Sequence, residues 1–187
     1  MRQIALFFAI ALAGAGLDLL TKHLAFLHVS NYYEITVIDG FFAIGRTTNP
    51  GVVFGKFGAA PVLWLVVSIV AVPAIIAIFL AGKRPKGWIQ TMSLAMILAG
   101  TLGNMVDRIA FGAVRDFIKF YLRSATGPDR VWPLFNLADA FICVGVFLLS
   151  VEMMFFEDKK TPRPLREGPA AEPPPVPAPA PPTAPSP

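Results

Sequence analysis

Charged residues are scarce in this chain. Of its 187 residues, 15% are charged and 55% are hydrophobic, whereas an ordinary soluble domain has about 25% charged residues. This composition excludes an ordinary soluble domain and favours a protein that spans a membrane. The formal net charge is +4. The basic residues are scattered through loops and ends without an aromatic-interleaved basic stripe, so we expect no nucleic-acid partner.

Cysteine and histidine are almost absent. The chain has one cysteine, Cys143, so it cannot form an intramolecular disulfide. Its two histidines, His23 and His28, form no His-Glu-x-x-His motif. A zinc protease is therefore poorly supported, and we expect no bound metal. A serine–lysine dyad is also disfavoured, because the apolar runs that contain serine hold no lysine.

Long hydrophobic runs are abundant instead. Four of them have the length needed to cross a bilayer as a helix. They predict helices over residues 4–27, 62–81, 88–107 and 133–155. Between the first two helices, Tyr32–Ile38 followed by Asp39-Gly40 predicts a short strand and a turn. We therefore predict a mainly α membrane protein, with four transmembrane helices and a small extramembrane β platform between helices 1 and 2.

The end of the chain differs in composition from the rest. Residues 161–187 contain 12 prolines and almost no large apolar side chains, so they cannot bury a core of their own. We predict one membrane domain over residues 1–160, followed by a proline-rich disordered tail. Lys83, Arg84 and Lys86 crowd the short loop between helices 2 and 3. Such a loop favours the cytoplasmic side, and both termini are then cytoplasmic.

Two aspartates are candidates for chemistry. Asp139 lies inside the last apolar run, and Asp116 lies in the connection just upstream. An ionisable residue in a membrane-spanning segment marks a functional site by default. Two carboxyl groups brought together at the membrane edge suit hydrolysis by acid/base catalysis. Counted from Pro133 at 1.5 Å per residue, Asp139 would lie roughly 9 Å below the start of its helix, at the depth of the outer interface.

Other polar residues lie at spacings that place them in pairs on one helix face. Asn136 lies three residues before Asp139, and Asn104 and Arg108 lie four apart near the end of the third helix. This second pair could hold a peptide carbonyl or a lipid headgroup, or it could simply end the helix. Asp18 and Lys22 lie one helical turn apart, as an internal ion pair would.

Two other functional classes stay open at this point. An ion-coupled or proton-conducting membrane protein could use Asp18, Asp107 and Asp139 as a relay. A non-catalytic membrane scaffold would need none of these carboxylates for chemistry. Location separates the first class from a hydrolase: a relay needs acidic groups spread through the membrane depth, whereas a hydrolase needs Asp116 and Asp139 adjacent at one interface.

Five short motifs, in order, resemble those of the lipoprotein signal peptidase family, the bacterial membrane aspartyl proteases also called signal peptidase II. The resemblance covers roughly residues 4–156. The motifs are Asp18-Leu19-Leu20-Thr21-Lys22, Asn49-Pro50-Gly51-Val52-Val53-Phe54-Gly55, Gly103-Asn104-Met105-Val106-Asp107-Arg108, Val114-Arg115-Asp116-Phe117-Ile118 and Phe135-Asn136-Leu137-Ala138-Asp139. Two positions depart from the family pattern: Arg115, where a small or apolar residue is usual, and Val53, where alanine is usual.

The resemblance implies removal of the signal peptide from diacylglyceryl-modified prolipoproteins, by cleavage just before the lipidated cysteine. It implies that Asp116 and Asp139 activate water without a cofactor and without an acyl-enzyme. It also implies a multi-pass protein of the bacterial inner membrane, with its active site near the outer face. The expected partners are prolipoproteins and membrane lipids, and the chain is expected to be a monomer. Residues implied to support the site or contact substrate are Asn49, Asn104, Arg108 and Asn136, with Asp18 and Lys22 as structural support.

Overall fold

Four long helices form the membrane part of the protein. The computed structural model describes residues 2–51, 61–82 and 87–156. Each of the four helices in these ranges is long and apolar enough to cross a membrane, which confirms the predicted fold class. They are α1 (Arg2–His28), α2 (Pro61–Ala81), α3 (Trp88–Phe111) and α4 (Leu137–Phe156). The predicted tail and the Lys83–Lys86 loop lie outside the described residues.

The β platform is larger than predicted. Among the described residues it is an antiparallel sheet in the order β1-β2-β3-β4. Its first strand begins at Ile35 rather than Tyr32, and half of the sheet comes from the connection between α3 and α4. Asp116 therefore lies on a strand and not in a loop. The strands are β1 (Ile35–Ile38), β2 (Phe42–Asn49), β3 (Val114–Leu122) and β4 (Arg130–Val131).

The fourth helix begins later than predicted, at Leu137 instead of residue 133. The residues before it are extended and pair with β3: the Trp132 N–H donates to Phe120 O at 2.9 Å, and the Phe135 N–H donates to Ile118 O at 3.1 Å. Asp139 consequently lies in the first turn of α4. The estimated depth of 9 Å below the helix start is wrong, because it counted extended residues as helical.

The third helix ends later than predicted, at Phe111 instead of residue 107. Gly112 terminates it with φ of 70°, and its N–H donates to Arg108 O at 3.1 Å. A left-handed residue after the last helical turn is a common helix end, and glycine adopts it without a Cβ clash. Asp107, at the predicted end of the helix, is fully buried and paired, as described below.

The helix α3 lies at the centre of the bundle and contacts the other three helices. Two glycines allow its close approach. A Cβ at Gly100 would overlap Ala138 O of α4, and a Cβ at Gly103 would overlap the Asp18 carboxylate of α1. A cluster around Phe7, Phe79 and Leu98 fills the other end of the bundle with apolar side chains. The polar site is thus confined to the end that carries the sheet.

Candidate functional site

Asn136 joins the two candidate carboxylates. Its Nδ2 donates to Asp116 Oδ1 at 2.6 Å. Its Oδ1 accepts the Asp139 N–H at 3.0 Å, and its own N–H donates to Asp139 Oδ2 at 3.2 Å. The last two bonds form a reciprocal cap on the first turn of α4, with aspartate in the place that glutamate or glutamine usually takes. One asparagine therefore starts the helix, orients Asp139 and holds Asp116 beside it.

Asn104 approaches Asp139 from α3. Its Nδ2 donates to Asp139 Oδ1 at 2.8 Å, and its Oδ1 accepts a hydrogen bond from Lys22 Nζ at 2.9 Å. Because an ammonium group can only donate, Lys22 fixes which way the Asn104 amide faces. Both oxygens of Asp139 thus accept an N–H bond, so the position of its carboxyl group is fixed from α3 and from Asn136.

A second acidic cluster surrounds Lys22, at the same end of the bundle. The Lys22 ammonium lies 2.8 Å from Asp18 Oδ2 and 3.4 Å from Asp107 Oδ2, and all three side chains are fully buried. The other oxygen of Asp18 accepts the Ala138 N–H at 2.8 Å. That bond satisfies one of the N–H groups left free at the start of α4. The Asp18–Lys22 pair predicted from sequence is therefore formed, and it contacts the residue next to Asp139.

Arg115 faces away from its neighbour Asp116. Its guanidinium donates two hydrogen bonds to Asp107 Oδ1, at 3.1 and 2.7 Å, and its backbone N–H donates to Asp107 Oδ2 at 2.9 Å. It also stacks on the ring of Phe111 at 4.4 Å. Successive side chains of a strand point to opposite faces. This departure from the family pattern therefore adds a cation to the second cluster and leaves the Asp116 side of the strand unchanged.

Asn49 and Arg108 complete the set of predicted residues. Asn49 ends β2, where its side chain hydrogen-bonds Asp116 and its Oδ1 also accepts the Gly51 N–H at 2.9 Å. Arg108 lies within electrostatic range of Asp139 and Asp116.

Arg108 Nη1 also donates to Ser68 Oγ of α2 at 3.3 Å. Sequence reasoning missed Ser68 as a partner. The only signal in the sequence is that Ser68 is a polar residue within the second hydrophobic run. Of the predicted motif that begins at Asn49, residues 52–55 lie outside the described residues.

Burial sets the protonation of Asp116. This side chain is 2% exposed. Burial raises the pKa of the Asp116 carboxyl to about 7, and the nearby charge of Asp139 adds to the rise, against the hydrogen bonds from Asn136 and Asn49. Near neutral pH Asp116 is therefore partly protonated. A carboxyl group that can donate a proton and a second carboxyl group are thus both bonded to Asn136, an arrangement suited to acid/base chemistry.

The fold and this site define a class: a multi-pass membrane protein with one buried and one partly buried carboxylate, both bonded to Asn136 where its helices meet a small sheet. Residues 10–155 match the family model described as signal peptidase (SPase) II. The chain belongs to the signal peptidase II family, and it is accordingly a protease of the bacterial inner membrane that takes part in lipoprotein processing.

Relatives from several bacteria are similar over nearly their whole length. The chain is 37% identical to a lipoprotein signal peptidase of Geobacter sulfurreducens over 160 residues, which cover 84% of this chain and 96% of the relative. It is 36% identical to one of Syntrophus aciditrophicus, over 79% of this chain and 93% of the relative. A bacterial membrane enzyme solved in meso at 1.9 Å resolution has a similar fold. Its TM-score is 0.69 at 25% identity, over 82% of this chain and 95% of the solved one.

Proposed function

We propose that this protein cleaves diacylglyceryl-modified prolipoproteins just before the lipidated cysteine, with Asp116 and Asp139 as the catalytic pair. The observation that carries the proposal is the hydrogen bonding of both carboxyl groups to Asn136, on the strand β3 and at the start of α4. The relatives named above are lipoprotein signal peptidases, which supports the choice of substrate.

The two carboxyl groups take different roles. Asp139, whose oxygens both accept N–H bonds, is the base that removes a proton from the attacking water. Asp116, with its raised pKa of about 7, is the acid that donates a proton to the carbonyl oxygen of the scissile peptide. The tetrahedral gem-diol collapses when its C–N bond breaks: the leaving amine takes the proton that Asp139 received from water, and Asp116 takes a proton back from a gem-diol hydroxyl. No acyl-enzyme forms, because water is the nucleophile.

The neighbouring residues prepare this pair for reaction. Asn136 and Asn104 hold the carboxyl groups in position, and Asn49 supports Asp116 from β2. Arg108, tied to α2 by its bond to Ser68, offers a cation near the carbonyl oxygen where negative charge develops. Asp18 and Lys22 act indirectly, by positioning the first turn of α4 and the amide of Asn104.

The lipid on the substrate suits an enzyme embedded in the bilayer. Burial of acyl groups stabilises membrane binding by about 0.8 kcal/mol per CH₂, so the substrate arrives by diffusion in the plane of the membrane. We place the site at the outer face and both termini in the cytoplasm, following the basic loop between α2 and α3. The protein works as a monomer in this proposal.

The arrangement of the acidic groups argues against a proton relay. Asp18, Asp107 and Asp139 are linked through Lys22 and Asn104 at one end of the bundle. A relay across the membrane would need such groups at several depths. The cleavage experiment described next distinguishes a protease from a non-catalytic scaffold.

The test is cleavage of a diacylated prolipoprotein by the purified full chain, followed by gel shift. Asp116→Asn and Asp139→Asn should each lower turnover by about 10²- to 10⁴-fold, since an amide cannot exchange the required proton. Asp129→Asn makes the same change in an exposed loop and should cleave like the native chain. A metal chelator should have no effect.

Retained turnover in a folded Asp116→Asn or Asp139→Asn protein would remove that residue from the catalytic pair. Loss of activity in chelator that returns with added metal would contradict the aspartyl mechanism. A native chain that binds the prolipoprotein but leaves it uncut would favour the scaffold.

A further inference from the structure

The strand that carries Asp116 has two chemically different faces. Side chains alternate along a strand, so Ile118, Phe120 and Leu122 share the face of Asp116, while Lys119 lies on the other. The face of Asp116 meets Asn136 at the start of α4. Beyond Asp116 this face is entirely apolar.

A cavity of about 600 Å³ opens at the far end of this face. Its volume is that of a typical small-molecule site. Residues that line it include Phe41, Phe120, Leu122, Arg130, Trp132 and Phe135. Trp132 is 67% exposed and Leu122 is 60% exposed. Exposure of such large apolar side chains to water is unfavourable in free energy. The cavity thus presents an apolar surface that the described residues leave uncovered.

A short connection to α4 holds this cavity close to the bilayer. Phe135, which lines the cavity, lies two residues before α4 begins. Trp132 is five residues from the start of α4, and tryptophan is enriched at the headgroup level of membranes. The cavity therefore lies where acyl chains and headgroups of the leaflet are available.

One cation at the cavity is left without a carboxylate. Lys119 pairs with Glu34 at 2.7 Å, and Arg123 pairs with Asp39 at 2.6 Å. Arg130, which lines the cavity, forms no ion pair with any residue in the described parts of the chain. An arginine beside an apolar cavity at a membrane surface is suited to a phosphate.

We propose that this cavity binds an acyl chain of a bilayer phospholipid while Arg130 binds its anionic headgroup. The charge decides between two sources of acyl chains: a diacylglyceryl group on a prolipoprotein has no phosphate, whereas a phospholipid has one. Such a lipid would fasten the outer end of the sheet to the leaflet. The proposal concerns lipid binding and stands apart from the catalytic roles given above.

Tryptophan fluorescence tests this directly, with the full chain in detergent micelles. Phosphatidylglycerol brominated on its acyl chain is titrated into the native protein and into Trp132→Phe, and the difference in quenching reports Trp132. We expect saturable quenching at one lipid per protein, stronger than with brominated phosphatidylcholine. Arg130→Gln should weaken the apparent affinity for phosphatidylglycerol about fivefold. Lys119→Gln removes the same charge from the opposite face and should leave that affinity unchanged.

Equal quenching in the native protein and in Trp132→Phe would overturn lipid binding at the cavity, as would quenching that never saturates. An unchanged affinity in Arg130→Gln would overturn the assignment of the headgroup. If Trp132 is quenched only by a prolipoprotein peptide with brominated acyl chains, the occupant is the substrate lipid and the proposal is wrong.

Discussion

Two acidic clusters lie at the same end of the bundle and differ in what neutralises them. Asp18 and Asp107 surround Lys22, and Asp107 also receives the guanidinium of Arg115. The pair of Asp116 and Asp139 is held by asparagine amides. A cation at hydrogen-bond distance stabilises an ionised carboxylate more strongly than a neutral amide does, so two carboxyl groups held by amides share a proton more readily. The first cluster therefore suits structure, and the second suits proton transfer.

Asn104 connects the two clusters. Its amide accepts a bond from Lys22 on one side and donates one to Asp139 on the other. We call Asp18, Lys22 and Asp107 the structural cluster, and Asp116 and Asp139 the reactive cluster. The ammonium group of the structural cluster thus sets the orientation of the Asn104 amide that bonds to the reactive cluster. Predictions that change one cluster at a time show how far they are separate.

The largest effect on stability is expected from Lys22→Met. The change leaves Asp18 without its cation in a fully buried position. Removing one partner of a buried ion pair costs about 3–5 kcal/mol in free energy of unfolding. Unfolding in detergent, followed by circular dichroism, measures it. The double variant Asp18→Asn/Lys22→Met should recover part of the loss, because Asp107 keeps Arg115. A single variant as stable as the native protein would show that this cluster is not what holds the helices together.

Asn104→Ala should affect the reactive cluster more than the fold. It removes the Nδ2 donor of Asp139, and a hydrogen bond to a charged group contributes about 1.5–3 kcal/mol. If that bond acts in the transition state, kcat/KM falls about 10- to 100-fold in the cleavage assay. Ser93→Ala is a matched control, since it removes a buried polar group of α3 that donates to Ile89 O within the same helix. Equal losses in both variants would assign the effect of Asn104 to helix packing.

Sequence reasoning was most accurate for features fixed by composition along the chain. Length and hydropathy predicted four spans, because no other element satisfies its backbone over that distance in lipid. The strand β3 was missed, since Val114–Leu122 carries apolar residues on both faces and its alternation is weak. The start of α4 could have been predicted from the sequence, because Asn136 and Asp139 have the spacing of a reciprocal helix cap.

Contacts between distant parts of the chain were beyond sequence reasoning. Lys22 and Asn104 are 82 residues apart. The hydrophobic patterns of the first and third helices do not indicate that these two side chains meet. The direction of Arg115 was equally hidden while Asp116 was assigned to a loop. Once Asp116 lies on a strand, alternation alone places Arg115 on the opposite face, toward Asp107.

The pH dependence of cleavage separates the two clusters in another way. Burial raises the pKa of Asp116 to about 7, and this residue must be protonated to act as the acid. We expect kcat/KM to fall above about pH 7, by about tenfold per unit where Asp116 is mostly ionised. Pre-steady-state and steady-state assays in nanodiscs would measure the profile. A constant kcat/KM from about pH 6 to about pH 8.5 would contradict the role of Asp116 as acid.

The same raised pKa affects folding stability. The folded protein keeps the Asp116 proton up to about pH 7, whereas an unfolded aspartate loses it at about pH 3.9. Between these values the folded state binds more protons, so the free energy of unfolding falls as pH rises. Asp116→Asn should remove that part of the slope. A slope that is unchanged in this variant would place the responsible group elsewhere.

The smallest effect on cleavage is expected from Arg115→Gln, which changes the cluster around Lys22 at the residue next to Asp116. The variant loses the bidentate contact with Asp107, while Lys22 still neutralises that carboxylate. We expect the free energy of unfolding to fall by about 1.5–3 kcal/mol, and kcat/KM to change less than about tenfold, because the side chain points away from Asp116. Arg123→Gln removes an exposed pair with Asp39 from the same strand's end and should change neither quantity. A loss of kcat/KM in Arg115→Gln as large as that in Asn104→Ala, at unchanged stability, would mean that the two clusters are coupled through the strand itself and not only through Asn104.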